Sequence, residues 1–290
     1  MPAEGYLGSG ESSMDELESP EKVGVLHIHS TYSSDGTLSL AECQQVFRNR
    51  GYDFMAVTEH GQDFDAEKMK RFVEDCLSLS NQAFCVVPGL ELEFYRDTKK
   101  THILAIGITD FVADASPEGA LDRVHDQGGV AILAHPRIDL HQEILQRLAD
   151  RLDGIEVWNT KYNGHFAIPH NNLTLLAHLR EAHPQLQGFA GIDFHWQSQY
   201  KDLYVALRAA GFHQQAIVSA LRSGDFRIRK KQAVIDPGGQ VLSMPTAADR
   251  LLGALQSPLR RSFQRARGIS KWLGLPVPTA LKRGVRRIIF

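Results

Sequence analysis

Short apolar runs alternate with longer amphipathic stretches along most of this chain. Seven runs suit single strands, and they cover residues 23–28, 54–58, 84–91, 103–108, 130–134, 155–158 and 189–192. The stretches between them have helical spacing over residues 40–50, 66–79, 117–127, 140–151 and 172–182. Strand and helix in this alternation are typical of a parallel sheet, and so many units predict a single α/β barrel.

One connection departs from this alternation. Two predicted strands, 91–95 and 101–106, are separated only by the polar residues 96–100. Because this link is too short for a crossover helix, it predicts a β-hairpin. In this hairpin Glu91 and Glu93 share one face of the first arm, and His102 lies opposite them on the second.

Charge is concentrated at the two ends of the chain. Residues 1–22 are rich in Gly, Ser, Pro and Glu and carry six acids against one base, which predicts a disordered acidic leader. Residues 256–290 carry nine bases and no acid, although the net charge of the whole chain is −2. We therefore expect a leader over 1–22, a globular domain over 23–235 and a basic amphipathic helical tail over 236–290.

The basic tail admits three interpretations. From Leu259, apolar residues recur at helical spacing among the bases, and Pro276 and Pro278 interrupt this pattern. A basic amphipathic helix over residues 259–290 suits the surface of an anionic membrane. A helix pair packed on the barrel fits equally well. Nucleic acid is a third partner, which we do not favour because the tail lacks interleaved aromatic residues.

Cysteine usage and the absence of targeting patterns bear on location. Cys43, Cys76 and Cys85 have no CxxC spacing and are typical of reduced thiols. The N-terminus has no basic start followed by an apolar stretch, so we expect no secretory signal. No apolar run approaches the roughly 20 residues of a spanning helix. We expect a cytoplasmic protein, either free or peripheral at the inner membrane face.

Histidines and carboxylates stand where several predicted strands end. His27 and His29 are alternate residues of the first strand, so both imidazoles project to one side and can reach one metal ion. Later apolar runs are followed by His60, by Glu91, by His135, and by Asp193 with His195. Buried imidazoles and carboxylates are unfavourable without a partner. Nitrogen and oxygen ligands without thiolate suit Zn²⁺, Mn²⁺ or Fe²⁺.

The order of these motifs resembles that of the polymerase and histidinol phosphatase (PHP) family. The motifs are His27-Ile28-His29, Ser34-Asp35-Gly36, Gly51-Tyr52-Asp53, Thr58-Glu59-His60, Pro88-Gly89-Leu90-Glu91, His102, Ala134-His135-Pro136 and Gly191-Ile192-Asp193-Phe194-His195. The resemblance covers residues 25–195 and is greatest to the stand-alone metal-dependent phosphoesterases. It implies a distorted (β/α)7 barrel with two or three divalent metals, Zn, Mn or Fe.

The resemblance also implies which residues hold each metal. One metal takes His27, His29, Glu91 and Asp193. A second shares Glu91 and adds His102 and His135, and a third takes Asp35, His60 and His195. Glu93 competes with Glu91 for the bridging role, and we favour Glu91 because it follows Pro-Gly-Leu, as in the family. Glu59 replaces the aspartate of many relatives and is expected to touch no ligand.

The implied activity is hydrolysis of a small phosphomonoester or nucleotide by a metal-bridged hydroxide, with Glu91, Asp193 and His195 as catalytic residues. Arg137 and Lys161 are the bases expected to grip the substrate phosphate. The same family offers two alternatives, a phosphotyrosine-protein phosphatase and a short-RNA exonuclease. A third alternative is a membrane-associated, non-catalytic scaffold held by residues 256–290.

Overall fold

The structure, a computed structural model, describes residues 21–96, 99–114, 116–136, 145–164 and 166–272. Several predictions therefore lie outside the described residues. They concern the leader up to residue 20, the start of the predicted helix at 140–144, the tail from residue 273 onward, and Arg137.

The described residues form a mixed α/β structure. Its strands are β1 (Lys22–Ile28), β2 (Phe54–Val57), β3 (Glu59–His60), β4 (Cys85–Val87), β5 (Gly89–Arg96), β6 (Lys99–Ile106), β7 (Val130–Leu133), β8 (Gly154–Asn159), β9 (Gln187–Gly191), β10 (Tyr204–Leu207), β11 (Phe226–Lys230), β12 (Ala233–Ile235) and β13 (Val241–Ser243). Its helices are α1 (Leu40–Arg48), α2 (Ala66–Leu79), α3 (Pro117–Asp126), α4 (Thr160–Asn163), α5 (His170–Ala182), α6 (Gln214–Ser223) and α7 (Ala247–Trp272).

The strands form two sheets. The first has the order β13-β12-β11-β10-β1-β2-β4, and the second has the order β3-β5-β6-β7-β8-β9. Parallel pairs join β1, β2 and β4, whereas β10 to β13 form an antiparallel meander. In the second sheet β5, β6 and β7 are antiparallel neighbours, and β7, β8 and β9 are parallel. The predicted α/β class is confirmed, and these antiparallel pairs are departures from regular βα alternation.

The two sheets meet along both edges of the second one. At one edge β2 continues into β3 through Thr58 alone. At the other edge the N–H groups of Ile192 and Phe194 donate to the carbonyls of Leu26 and His27 at 3.2 and 3.1 Å. The ends of β1, β3 and β9 and the beginning of β5 are thereby brought together, and the histidines and carboxylates lie at these positions.

The predicted hairpin is confirmed as β5 and β6. Its register pairs Glu91 with Leu104 and Glu93 with His102, so Glu93 and His102 are direct cross-strand neighbours. Gly89 begins the hairpin under the neighbouring backbone, since a Cβ atom there would lie 2.4 Å from the carbonyl oxygen of Ala105. Because glycine has no side chain to clash here, β5 can continue directly from β4 towards the histidine cluster.

Local sequence accounts for the helix starts. Ser39 and Glu42 form a reciprocal capping box at α1, and the Asp65 side chain caps α2 by accepting from the Lys68 amide. On α2 the helical spacing buries Met69, Phe72 and Cys76 against the sheet. All three cysteines are buried free thiols.

The C-terminal helix begins earlier than the periodicity predicted. It starts at Ala247, twelve residues before Leu259, and runs through Pro258. The start is capped by Thr246, whose hydroxyl accepts from the Asp249 amide at 3.0 Å. The sequence missed this start because Gly253 and Pro258 interrupt the helical pattern. Among the described residues, no helix combines the length and apolar character needed to cross a bilayer.

Candidate metal centre

The carboxylate of Glu91 lies at the centre of a histidine cluster. Its side chain is buried, with 3% exposed. Five imidazole nitrogens lie within 3.5 Å of its oxygens: His27 Nε2 at 3.5 Å, His29 Nε2 at 3.4 Å, His60 Nδ1 at 3.2 Å, His102 Nδ1 at 2.5 Å and His135 Nε2 at 3.2 Å. A carboxylate offers about four acceptor positions, so five close nitrogens exceed what hydrogen bonding alone can use.

The rival carboxylate, Glu93, has fewer contacts with the cluster. Its Oε2 lies 3.3 Å from His102 Nε2 and also pairs with the Lys100 ammonium group. Among the described imidazoles within 4 Å, Glu93 therefore has one and Glu91 has five. This geometry favours Glu91 for the shared position.

Asp193 forms the opposite wall of the cluster. Its Oδ1 lies 3.3 Å from His195 Nδ1, 3.8 Å from His29 Nε2 and 3.9 Å from His27 Nε2. The ammonium group of Lys161 approaches the same oxygen at 2.8 Å. The structure thus places Lys161, predicted to grip phosphate, directly beside a predicted ligand.

Asp35 lies on the solvent side of the cluster. Its side chain is 56% exposed, and its two oxygens lie 3.0 Å from His60 Nε2 and 3.2 Å from His195 Nε2. Asp35, His60 and His195 are the residues predicted for a third metal, and the structure brings them together.

Four groups of three donor atoms each lie close enough to hold one ion, within 4.8 Å of one another. They are His27, His29 and Glu91; Glu91, His102 and His135; His27, His135 and Asp193; and His29, His60 and His195. The first two fall within the sets predicted for two metals. The last contains His29 where the prediction has Asp35.

Three imidazole nitrogens of the cluster test whether metals fit this site. The Nε2 atoms of His27, His29 and His102 are buried and have no hydrogen-bond partner. Buried polar atoms are nearly always satisfied in folded proteins, so these nitrogens require an explanation. A divalent cation that accepts the lone pair of each ring supplies one, and the donor set fits it.

Unusual backbone conformations concentrate at these residues. Among the described non-glycine residues, four have positive φ, and three of them are His27 at 64°, His135 at 30° and Asp193 at 50°. Such conformations are unfavourable for residues with a Cβ atom and often occur at functional sites. At His27 the β1–β2 register also shifts, so β1 is not a regular strand. The rings of His27 and His29 still come close, with centroids 5.2 Å apart.

Glu156 supports the cluster from behind and was missed by the sequence analysis. Its Oε1 lies 2.8 Å from His27 Nδ1, and its Oε2 accepts from the His135 amide at 2.7 Å and from the Asn159 side chain at 2.9 Å. The residue is 1% exposed. A signal for it existed, because Glu156 is the one charged residue in the apolar run 155–158.

Glu59 also lies beneath the cluster. It accepts hydrogen bonds from the Ser30 and Ser33 hydroxyls and from the Ser30 amide at 2.9 Å. The Ser33 oxygen in turn accepts from the His60 amide at 2.9 Å and lies 3.5 Å from His29 Nδ1. Glu59 thus supports two candidate ligands, His29 and His60, through Ser33. Burial raises the pKa of Glu59, and the serine hydrogen bonds oppose this shift.

Tyr162 flanks the site at its exposed side. Its ring lies 4.4 Å from the ring of His135, and the residue is 37% exposed. Burial of the phenol, reinforced by Asp193, raises its pKa to about 12 despite the nearby Lys161. Tyr162 was not singled out from the sequence, since one aromatic residue outside a periodic pattern carries no local signal.

The protein environment keeps both buried carboxylates ionised. Burial alone would raise the pKa of Glu91, but the charge of His27 and hydrogen bonds from His102 and His135 hold it well below its usual range. Lys161 and His27 likewise hold the pKa of Asp193 well below its usual range against burial. Burial lowers the pKa of His29 well below its normal value, which favours the neutral ring that metals require.

Comparison with known proteins agrees with these observations. The model of the PHP domain family matches residues 26–234. A DNA polymerase/3'-5' exonuclease PolX from Bacillus subtilis is 31% identical over 93 residues, which cover 29% of this chain and 16% of that protein. An uncharacterised protein from Methanocaldococcus jannaschii is 25% identical over 170 residues, or 54% of this chain and 91% of that one. This chain thus spans only a small part of the PolX relative.

Solved structures share the fold at low identity. A two-domain protein from Bacteroides vulgatus, described as containing a predicted PHP-like metal-dependent phosphoesterase, has a TM-score of 0.52 and 17% identity over 79% of this chain and 71% of that one. PsfC from Pseudomonas syringae has a TM-score of 0.50 and 20% identity over 84% of this chain and all of that one. With a family model matched across most of its length, the chain belongs to the PHP domain family.

Proposed function

We propose that the chain is a metal-dependent phosphoesterase that hydrolyses a small phosphomonoester or nucleotide. The observation that carries the proposal is Glu91, a buried carboxylate approached by five imidazoles, three of which have orphaned Nε2 atoms. The description of the Bacteroides vulgatus relative as a predicted phosphoesterase supports this activity.

The donor set suits two or three divalent metals, for which Zn, Mn and Fe are the candidates. His27, His29, Glu91 and Asp193 would hold one, Glu91, His102 and His135 a second, and Asp35, His60 and His195 a third. When bound, such metals supply Lewis-acid activation of water and neutralise charge on the phosphoryl oxygens.

Side chains around the cluster would position the substrate. Lys161 carries its ammonium group beside Asp193, where it can also donate to a phosphoryl oxygen. Burial lowers the pKa of this amine, but Asp193, Tyr162 and Glu91 together raise it above its usual value, so Lys161 stays charged. His195 connects the buried Asp193 to the exposed Asp35. Glu91, Asp193 and His195 are therefore our candidates for contact with the reacting atoms.

A second candidate is exonuclease activity on short nucleic acids. The observation in its favour is the 31% identity over 93 residues to a protein named as a 3'-5' exonuclease. Both activities require the same cluster and differ in the length of substrate accepted at its exposed side.

One experiment tests the proposal. Purified protein is analysed for Zn, Mn and Fe and then assayed for phosphate release from an aryl phosphate, phosphorylated metabolites, phosphotyrosine peptides and short RNA. We expect bound metal and turnover of small phosphomonoesters or nucleotides. His27→Ala should abolish both. His178→Ala is the matched control, since that imidazole is 78% exposed on α5.

The possible results separate the candidates. Turnover of RNA with little release from monoesters would favour the exonuclease, and selective turnover of peptides would favour the tyrosine phosphatase. Metal bound without turnover of any substrate would overturn the phosphoesterase proposal and favour the scaffold alternative.

A further inference from the structure

In the first turns of α7, small and polar residues face the domain and large apolar residues face solvent. Residues turned towards the domain are small or polar: Asp249 at 6% exposed, Gln256 at 8% exposed and the buried Gly253. Residues turned to solvent are leucines: Leu251 at 63%, Leu252 at 44% and Leu255 at 61% exposed. An amphipathic surface helix normally buries its apolar side, so the leucines are placed for a partner outside the domain.

Contacts on the inner face hold α7 in this orientation. Asp249 accepts from the Lys231 ammonium group at 2.9 Å and from the Thr246 hydroxyl at 2.8 Å. Gly253 packs directly on Ala167, because a Cβ atom at Gly253 would lie 2.6 Å from the Ala167 Cβ. The leucines cannot turn inward without breaking an ion pair and a close backbone contact.

The chain just before this helix, in β13 and just after that strand, also exposes large apolar side chains. Leu242 is 50% exposed and Met244 is 44% exposed. Eight large apolar side chains are exposed in the described part of the chain, and five of them belong to this segment. We call these five the apolar face: Leu242, Met244, Leu251, Leu252 and Leu255.

The charge of the following segment indicates the partner. Residues 256–290 carry nine bases and no acid and continue directly from the apolar face. Apolar side chains next to a dense positive charge match the interface of an anionic bilayer, where acyl chains lie beneath negative headgroups. Docking of two copies through the same face would bring two basic segments together, which is unfavourable.

We propose that the apolar face docks on an anionic lipid membrane, with the basic segment supplying the electrostatic attraction. The inference is independent of the catalytic proposal, because none of the five residues belongs to the metal centre. It also extends the proposed membrane-binding surface upstream of residues 259–290, the stretch for which the sequence analysis considered membrane contact.

Vesicle co-sedimentation of the full chain tests this surface. The vesicles contain phosphatidylcholine alone or phosphatidylcholine mixed with phosphatidylglycerol. The test variant combines Leu251→Gln, Leu252→Gln and Leu255→Gln, which preserve helix propensity and add no charge. Leu77→Gln is the matched control, since Leu77 is a 55% exposed leucine on α2, away from α7. Circular dichroism verifies that each variant is folded.

We expect the wild-type protein to bind anionic vesicles, to bind less tightly as salt is added, and to bind neutral vesicles weakly. The triple variant should bind anionic vesicles about a hundredfold more weakly, because three leucines no longer enter the bilayer. The Leu77 variant should bind as the wild type does.

Three results would overturn the proposal. One is the absence of wild-type binding to anionic vesicles. Another is unchanged binding by the folded triple variant, which would mean that the basic segment alone is sufficient. The third is a wild-type dimer that binds no vesicle and that the triple variant converts to a monomer, which would assign the face to a second copy.

Discussion

A buried hydrogen bond joins His27 to Glu156, with the Nδ1 atom of the ring 2.8 Å from the Oε1 atom of the carboxylate. Because an ionised carboxylate only accepts, a proton must lie on Nδ1, so Nε2 is the atom that carries the lone pair whenever the ring is neutral. That Nε2 atom has no partner and faces Glu91 and Asp193. Glu156 thus sets the tautomer in which His27 can bind a metal.

Replacing Glu156 should weaken metal binding without removing any ligand. In Glu156→Gln one carboxylate oxygen becomes an NH2 group, so either His27 Nδ1 or the His135 amide faces a donor and loses its acceptor. We expect metal affinity to fall about 10- to 100-fold, measured by competition with a chromogenic chelator. Glu67→Gln, on an exposed side chain of α2, should leave the affinity unchanged. Equal affinities of the Glu156 variant and the wild type would contradict the role assigned here.

Gly191 is expected to tolerate no side chain. A Cβ atom there would lie 2.0 Å from Glu156 Oε1 and 2.7 Å from His27 Cβ, so Gly191→Ala must displace the same hydrogen bond. We expect metal affinity to fall at least as much as in Glu156→Gln, with a loss of about 1–3 kcal/mol in the free energy of unfolding.

The double variant provides a sharper test. Because both substitutions disturb one contact, their effects on metal affinity should be less than additive. Gly211→Ala is the matched control, since the nearest atom to its added Cβ is His213 Nε2 at 3.2 Å, outside the cluster. Fully additive losses of metal affinity would show that Gly191→Ala does not act through the contact between Glu156 and His27.

Removing the charge of Lys161 should affect catalysis more than metal content. Its ammonium group lies 2.8 Å from Asp193 Oδ1. If it also contacts the substrate phosphate, Lys161→Met should lower kcat/KM about 10- to 100-fold, the usual effect of losing a charged hydrogen bond. Metal analysis of the same sample should match the wild type. Lys70→Met, on the exposed side of α2, is the control. If Lys161→Met loses metal and activity in parallel, the role of Lys161 is to position Asp193 and not to contact the substrate.

The buried amine of Lys230 should make the free energy of unfolding depend on pH, independently of the metal centre. Its side chain is buried in β11 and donates to the Asp202 carbonyl at 3.0 Å. Burial lowers the pKa of this amine from 10.5 to about 8. Between these values the unfolded chain binds a proton that the folded chain has released, so stability increases with pH.

Urea unfolding of wild type and Lys230→Met measures this effect. The free energy of unfolding of the wild type, relative to the variant, should rise by as much as about 3 kcal/mol from pH about 8 to about 10. A Lys70→Met protein should show a constant difference from wild type over the same range. If the difference in the free energy of unfolding between wild type and Lys230→Met does not change with pH, the amine titrates normally in the folded protein.

Much of the fold could be predicted because its signals are local. Predicted and observed bounds agree at α2, and the hairpin of β5 and β6 follows from a link too short for a helix. The meander from β10 to β13 was missed, since its strands are only three to five residues long and carry little periodic signal. The start of α7 was missed because Gly253 and Pro258 interrupt its helical pattern, and the side of the helix that faces solvent depends on packing.

The sequence by itself determined which side chains are available and at which strand ends they stand, since strand periodicity and chain order are local properties. Only the tertiary structure decided how they act together. His27 and Glu156 are 129 positions apart, and the orphaned nitrogens, the positive φ values and the solvent-facing leucines of α7 each depend on packing between distant segments. Periodicity places a side chain on a face, but the electrostatics and the tautomer of that side chain are set by neighbours that the chain brings together only on folding.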